Sequence, residues 1–233
     1  MSNPFQVVRD FEAALCAYTG APFAVTTTSC TDALKLAVAW HLRNQDMVDD
    51  GKDTGYIEYR PTHVEIPRRT YVGVPMAIIH AGGRPTFRDE EWRGAYQLKP
   101  LPIWDSARLF TGGMCIGVNP GMVSPFQNFG EQMVCVSFHW SKTLGIQQGG
   151  AILHDDPEAD RWLRMARFDG RQEGVAPKDQ KEWILGWHAY MAPETAAAGL
   201  VRLAHLPRNN EPLPWGPGTD SDYPDLSELP IFK

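Results

Sequence analysis

Val8, Phe11, Leu15 and Tyr18 fall three or four positions apart, the spacing of one face of an α-helix. Asn3 and Pro4 suit the N-cap and first helical position, and Gly20 suits the stop. The short apolar piece Phe23 to Thr26 then leads through a polar run into Ala33, Leu34, Ala37, Val38 and Trp40, again at helical period. The polar run 26–32 therefore sits at a helix N-terminus. Residues 44–62 are charged and poorly periodic and read as a surface excursion. Val64, Glu65 and Ile66 predict a short strand ended by Pro67, a helix falls within 70–81, and Gly82 and Gly83 stop it before RPTF resumes as a strand.

Further strands are predicted at 101–104, 133–138 and 150–154, with MVCVSF apolar enough to be buried on both faces. Asp156 and Pro157 open a helix through about Met165, and Pro193 opens an alanine-rich helix that ends before Pro207. Strands alternating with helices indicate an α/β sheet, largely parallel. Beyond it, Pro207, Pro212, Pro214, Pro217, Pro224 and Pro230 interrupt an acidic, aperiodic stretch. The expected organisation is one domain over 1–206 and a Pro-rich extended tail over 207–233.

Composition narrows the class without naming an activity. The 233 residues suffice for one generous domain, and 43% hydrophobic with 21% charged residues is the balance of an ordinary globule rather than a disordered chain. A net charge of −6 argues against nonspecific nucleic-acid binding, which needs surplus Lys and Arg along the phosphates. Cys16, Cys30, Cys115 and Cys135 show no C-x-x-C spacing, so neither a disulfide framework nor a zinc site is legible and no metal is expected. The start MSNPFQVVRD lacks the basic and apolar regions of a signal peptide, and no segment nears the roughly 18 apolar residues that span a bilayer. A cytoplasmic location is the expectation.

Four separated segments carry candidate chemistry. In FEAALCAYTGAPFAVTTTSCTDALKLAV, Cys30 and Thr31 stand at a helix start, where backbone N–H groups without intrahelical partners can hold a phosphate. Taken alone, the same residues form an ordinary Ser/Thr helix cap. In VEIPRRTYVGVPMAIIHAGGRPTFRD, Tyr71 follows a strand; in PIWDSARLF, Asp105 ends one and Arg108 follows it; in SFHWSKTLGIQQGGAILHDD, Ser137 and Lys142 bracket a turn before a double glycine. A lone lysine in a loop is ordinarily a solvated surface charge. Here it follows an apolar strand and precedes a double glycine.

Together these segments resemble the DegT/DnrJ/EryC1/StrS sugar aminotransferases, which are fold-type I enzymes dependent on pyridoxal 5′-phosphate (PLP). The likeness runs over roughly residues 5–200. It implies a three-layer α/β large domain with a mainly parallel sheet. The form is reduced, since the stretch between Asp89 and Asp105 is short for the family's extra strand and helix and the usual C-terminal small domain is not legible. It implies that Lys142 forms the Schiff base, that Asp105 pairs with the pyridine nitrogen and keeps it protonated, and that Tyr71 stacks on the ring. Cys30, Thr31 and Ser137 would hold the phosphate. Cys30 stands where the family has glycine, Arg108 where Gln or His is usual, and Gln148 where Glu is common. GWHAYMAPETAAAG puts His188 in the position of an asparagine that reaches a partner's phosphate, so a homodimer with shared sites is implied.

The function so implied is PLP-dependent transamination of a small-molecule, sugar or nucleotide-linked carbonyl. Two alternatives stay open. One is decarboxylation or elimination on an amino acid, including one attached to a nucleobase as in phage-type DNA hypermodification, the one reading with a nucleic-acid partner. The other is a noncatalytic binding module on a PLP scaffold, against which intact Lys142, Asp105 and Ser137 speak. Free glutamate is expected to be a poor amino donor unless Arg68, Arg69, Arg108 or Arg171 clamps its carboxylate.

Overall fold

The computed structural model describes residues 5–43, 48–49, 57–58, 62–116, 126, 129–214 and 223–233. The first helix, α1 (Gln6–Thr19), buries Val8, Phe11, Leu15 and Tyr18 on one side. Gly20 ends it at φ 82°, its N–H donating to the Cys16 carbonyl at 2.8 Å, and a Cβ there would collide with Ile116. The expected cap at Asn3 and Pro4 lies outside the described residues. After β1 (Phe23–Thr27) comes α2 (Cys30–Leu42), whose N-cap Ser29 accepts the Asp32 N–H on its hydroxyl at 3.1 Å. Nearly every side of α2 is apolar and buried, from Ala33 to Trp40, which fits a helix covered on all faces.

The remaining elements are β2 (Val48–Asp49), β3 (Ile57–Glu58), β4 (His63–Pro67), α3 (Gly73–His80), β5 (Arg84–Arg88), β6 (Tyr96–Leu98), β7 (Ile103–Asp105), β8 (Met133–Ser137), β9 (Gly150–His154), α4 (Pro157–Ala166) and α5 (Pro193–Ala204). Most of the predicted excursion over 44–62 lies outside the described residues; β2 and β3 pair there antiparallel.

One sheet runs β1-β9-β8-β7-β6, and β4 pairs with β5 in parallel beside it. An antiparallel bridge from Glu65 to Lys99 ties β4 to the end of β6. Thus β1, β4, β5, β7 and β8 run one way, and β6 and β9 run against them. Strand direction is mostly shared, yet neighbours are mixed because the two reversed strands are interleaved. β6 was not among the predicted strands. The short stretch after Asp89 crosses back through this three-residue antiparallel strand rather than through a helix.

Alternation along the strands separates two apolar layers. Val25, Met133, Cys135 and Ile152 face α2, α3 and α4, whereas Ala24, Val134, Val136, Ala151 and Leu153 face α1 and α5. This is the helix–sheet–helix arrangement that the period of two requires. No helix among the described residues is long and apolar enough to cross a membrane.

A buried ionic network joins α1, β1 and α4. Glu12 is 3% exposed and accepts from Arg164, from fully buried Arg167, and from the Thr26 N–H at 3.0 Å and hydroxyl at 2.9 Å. Burial works to raise its pKa, but Arg167, Arg164 and the Thr26 amide overcome it and hold the carboxyl at about 2.

The tail follows the body. Tyr18 donates to the Pro207 carbonyl at 2.6 Å, Gly112 N–H donates to the Arg208 carbonyl at 2.7 Å, and Leu226 is completely buried.

Candidate active site

The carboxyl ends of β1, β4, β7 and β8, together with the start of antiparallel β9, converge on a cavity of about 380 Å³. Such convergence is where open α/β sheets place ligands, since loops there bring residues from several strands together. Cys30, Thr31, Tyr71, Asp105, Arg108, Ser137 and Lys142 all line it.

At one end lies the N-terminus of α2. The amides of its first turn have no acceptor within the helix, and the helix dipole favours an anion beside them. Gly150 allows the helix to sit so close, because a Cβ would lie 2.5 Å from the Cys30 nitrogen. Ser137, at the end of β8, adds a hydroxyl to the same cavity. A tetrahedral anion matches this donor set.

Asp105 ends β7 and is 4% exposed. Its Oδ1 accepts from the Ala107 N–H at 2.9 Å and its Oδ2 from the Tyr96 hydroxyl at 2.8 Å, while Thr70 Oγ1 lies 2.7 Å from that hydroxyl. Burial pushes the Asp105 carboxyl up; the Ala107 amide, Tyr96 and Lys142 oppose the rise. The same burial, followed by the charge of Asp105, drives the Tyr96 phenol well above its ordinary value, so it stays a donor. Replacing Tyr96 by phenylalanine leaves two buried oxygens short of a partner and is expected to cost about 1–3 kcal/mol. A lowered urea midpoint with an unchanged slope is the readout.

Lys142 follows the β8 strand through a turn closed by its N–H donating to the His139 carbonyl at 2.8 Å. Its ammonium is pushed below the usual lysine range, first by burial and then by the neighbouring Arg108 guanidinium, against the pull of Asp105 and Cys30. A neutral amine is therefore more accessible here than on an exposed lysine. Burial also raises the Cys30 thiol well above its ordinary range, helped by Asp105, so Cys30 remains a thiol and its contribution to an anion comes from the backbone.

Tyr71 stands at the rim, 57% exposed. His188 is not among the cavity residues: it is exposed, with Nδ1 at 3.1 Å from Asp169 and its ring against Tyr190. Of the four candidate arginine clamps, Arg108 lines the cavity. Arg68 pairs with Asp89 at 3.0 Å and Asp225 at 3.4 Å, Arg69 lies 4.0 Å from Asp225, and Arg171 sits over Phe168. The cavity also contains Thr70, Trp92, Ser141 and Tyr223, which sequence reasoning missed. Ser141, whose hydroxyl lies 2.9 Å from His139 Nδ1, belongs to the SFHWSK turn and was within reach of that motif. Among the described residues no group of three or more His, Cys, Asp and Glu side chains is arranged to hold a metal.

Solved structures share this architecture. A DegT DnrJ EryC1 StrS aminotransferase from Brucella abortus superposes with a TM-score of 0.60 at 19% identity, covering 85% of this chain and 58% of its own. A sugar aminotransferase from Micromonospora echinospora gives 0.60 at 17% identity, covering 85% and 60%. NtdA from Bacillus subtilis, solved with its cofactor PMP, gives 0.60 at 18%, covering 86% and 48%. The chain thus spans about half to three fifths of the length of these proteins, and at such identities the likeness establishes the α/β fold. The sequence carries the assignment further, since the DegT/DnrJ/EryC1/StrS aminotransferase family matches residues 2–103 and 126–212. With well over half of its length matched, and with the matched segments meeting at one cavity, the chain belongs to the DegT/DnrJ/EryC1/StrS aminotransferase family.

Proposed function

We propose that this protein carries PLP on Lys142 and transaminates a sugar or nucleotide-linked carbonyl. The observation that carries the reading is the meeting, in one cavity, of a lysine depressed below its usual pKa, a buried carboxylate held by two donors, and a helix N-terminus backed by Ser137. That donor set fits the cofactor's three polar features: the anionic phosphate, the ring nitrogen and the aldehyde carbon. When bound, PLP supplies an electron sink for the pair released as a bond to the substrate's Cα breaks.

The chain's own residues do the rest. The amides of Cys30 and Thr31 and the Ser137 hydroxyl bind the phosphate; Asp105 holds a proton on the ring nitrogen by charge pairing; Tyr71 covers the ring. Tyr96 and Thr70 keep the Asp105 carboxylate oriented. Lys142 Nζ, with its lowered pKa, takes and returns the proton at Cα. Arg108 supports that role by disfavouring the ammonium. We read His188 as the residue that reaches the phosphate of a second copy, which makes the working unit a homodimer; its exposure supports this reading. We also read 1–206 as the cofactor-binding domain and 207–233 as its tail.

The test is a visible spectrum of the protein loaded with PLP, followed by borohydride reduction, digestion and mass analysis. The cofactor mass is expected on the peptide containing Lys142. Its recovery on another lysine, or a colourless protein at saturating PLP, defeats the proposal.

A further inference from the structure

Part of the cavity lining comes from the tail. Tyr223 lines the cavity, as do Trp92, Tyr71 and Arg108. Its backbone is tied to the segment just after β4: Arg69 Nη1 donates to the Tyr223 carbonyl at 3.5 Å, and Leu226 N–H donates to the Arg68 carbonyl at 2.9 Å. Asp225 lies 3.4 Å from Arg68 and 4.0 Å from Arg69 and also caps the turn Leu226–Glu228, accepting the Ser227 N–H at 3.1 Å. The completely buried Leu226 side chain and the packing of Phe232 on Phe87, with ring centroids 5.8 Å apart, add an apolar anchor. Trp92 depends on the same segment, since its Nε1 donates to the Arg69 carbonyl at 3.0 Å.

Arg68 and Arg69 therefore join two things. They run directly into Thr70 and Tyr71 of the cavity, and they fasten the tail that brings Tyr223 to it. In the proposed function Cys30, Thr31, Ser137 and Asp105 are taken up by the cofactor. Trp92 and Tyr223 are lining residues that this reading leaves free to meet a substrate.

We propose that Tyr223 is a specificity-determining residue: its ring, delivered by the tail and fixed by the Arg68–Asp225 and Leu226 anchors, bounds the substrate side of the cavity and limits the size of the amine that reaches the cofactor. This inference rests on the reading that the cavity holds PLP. Tyr223 acts as a fixed wall, and its phenol takes no part in bond making.

The full chain loaded with PLP is treated with methoxyamine or with the larger O-benzylhydroxylamine, and loss of the visible band is timed. Tyr223→Ala is expected to speed the larger reagent about tenfold or more, equivalent to about 1.4 kcal/mol, with the small reagent and the PLP dissociation constant nearly unchanged. Tyr223→Phe should behave as the native chain. Asp225→Asn, at a residue that does not line the cavity, should reproduce the alanine phenotype, and combining the two should add little, because both act by removing one wall. A second readout needs no cofactor: chymotrypsin should cut after Leu226, whose side chain is completely buried, slowly in the native chain and faster in Asp225→Asn. Equal rates for the large reagent in native and Tyr223→Ala proteins, or equal cleavage in native and Asp225→Asn, overturn the inference while leaving PLP binding intact. A native protein with no visible band at saturating PLP removes the proposed function and this inference together.

Discussion

Lys142→Ala should reduce turnover by at least about 10⁴-fold, the upper end of what one positioned proton-transfer group contributes, because in the proposed function this residue both carries the cofactor and moves the proton. Fold stability should not fall with it. Lys142 donates no hydrogen bond from its side chain to a core residue in the described structure, and burial together with Arg108 already works against its charge. Removing the ammonium removes that cost. The expected result is a folded protein with an unchanged or slightly raised thermal midpoint, still able to bind PLP through the phosphate donors, and without appreciable turnover. Lys142→Arg should not rescue it, because a guanidinium stays protonated across the accessible range. A primary amine added in solution should restore a small fraction of activity. In the native protein the rising limb of the pH profile should fall below 10.5, the ordinary lysine value. A Lys142→Ala variant within tenfold of native turnover would falsify the assignment.

The second large effect lies away from the cavity. Glu12→Gln should destabilise the fold by about 3–5 kcal/mol, the usual cost of removing one member of a buried ion pair, out of a total that for most domains is about 5–15 kcal/mol. It removes the one carboxylate shared by fully buried Arg167 and by Arg164, leaving Arg167 with Glu173 at 3.5 Å and Arg164 with Asp160 at 2.8 Å. The pH dependence carries a distinct sign. Glu12 is held at about 2 against an ordinary 4.5, so its contribution is fully present above 4.5 and is lost as the pH falls toward 2. Urea midpoints of the native protein should therefore drop steeply across that window. In Glu12→Gln the drop should be shallower, starting from a lower plateau. Parallel curves for the two proteins would remove Glu12 as the acid-labile element.

How much of this was legible in the sequence depended on the range of the interaction. Helices such as α2 and α4 announce themselves by apolar period and by local caps at Ser29 and Asp156, all within a few residues. Seven of the eight residues singled out for the site line one cavity, His188 being the exception, because each lies in a short segment whose order carries the family pattern. β6 was missed because three residues between Gly94 and Pro100 are too few to show a strand period; what makes it a strand is its pairing with β7. Tyr96 was missed for the same reason, since its role exists only once β6 brings it to Asp105. The partners Glu12 and Arg167 stand far apart in the chain, and neither has a local motif that announces burial. Tyr223 has no periodic context at all, and its place is set by contacts of Arg68 and Arg69 with the tail.

The pairing of β1 with β9 has a consequence for how the protein comes to exist. Phe23 sits opposite His154, so the edge of the central sheet cannot close until a loop of well over a hundred residues has been searched and its entropy lost. Topologies with such distant partners fold slowly for their size. During synthesis α1 and β1 leave the ribosome long before β9 is made, with their apolar faces uncovered. The nascent chain therefore passes through a prolonged interval in which β1 has no strand to pair with and Ala24 and Val25 lack the later helices α5 and α4 that complete their layers.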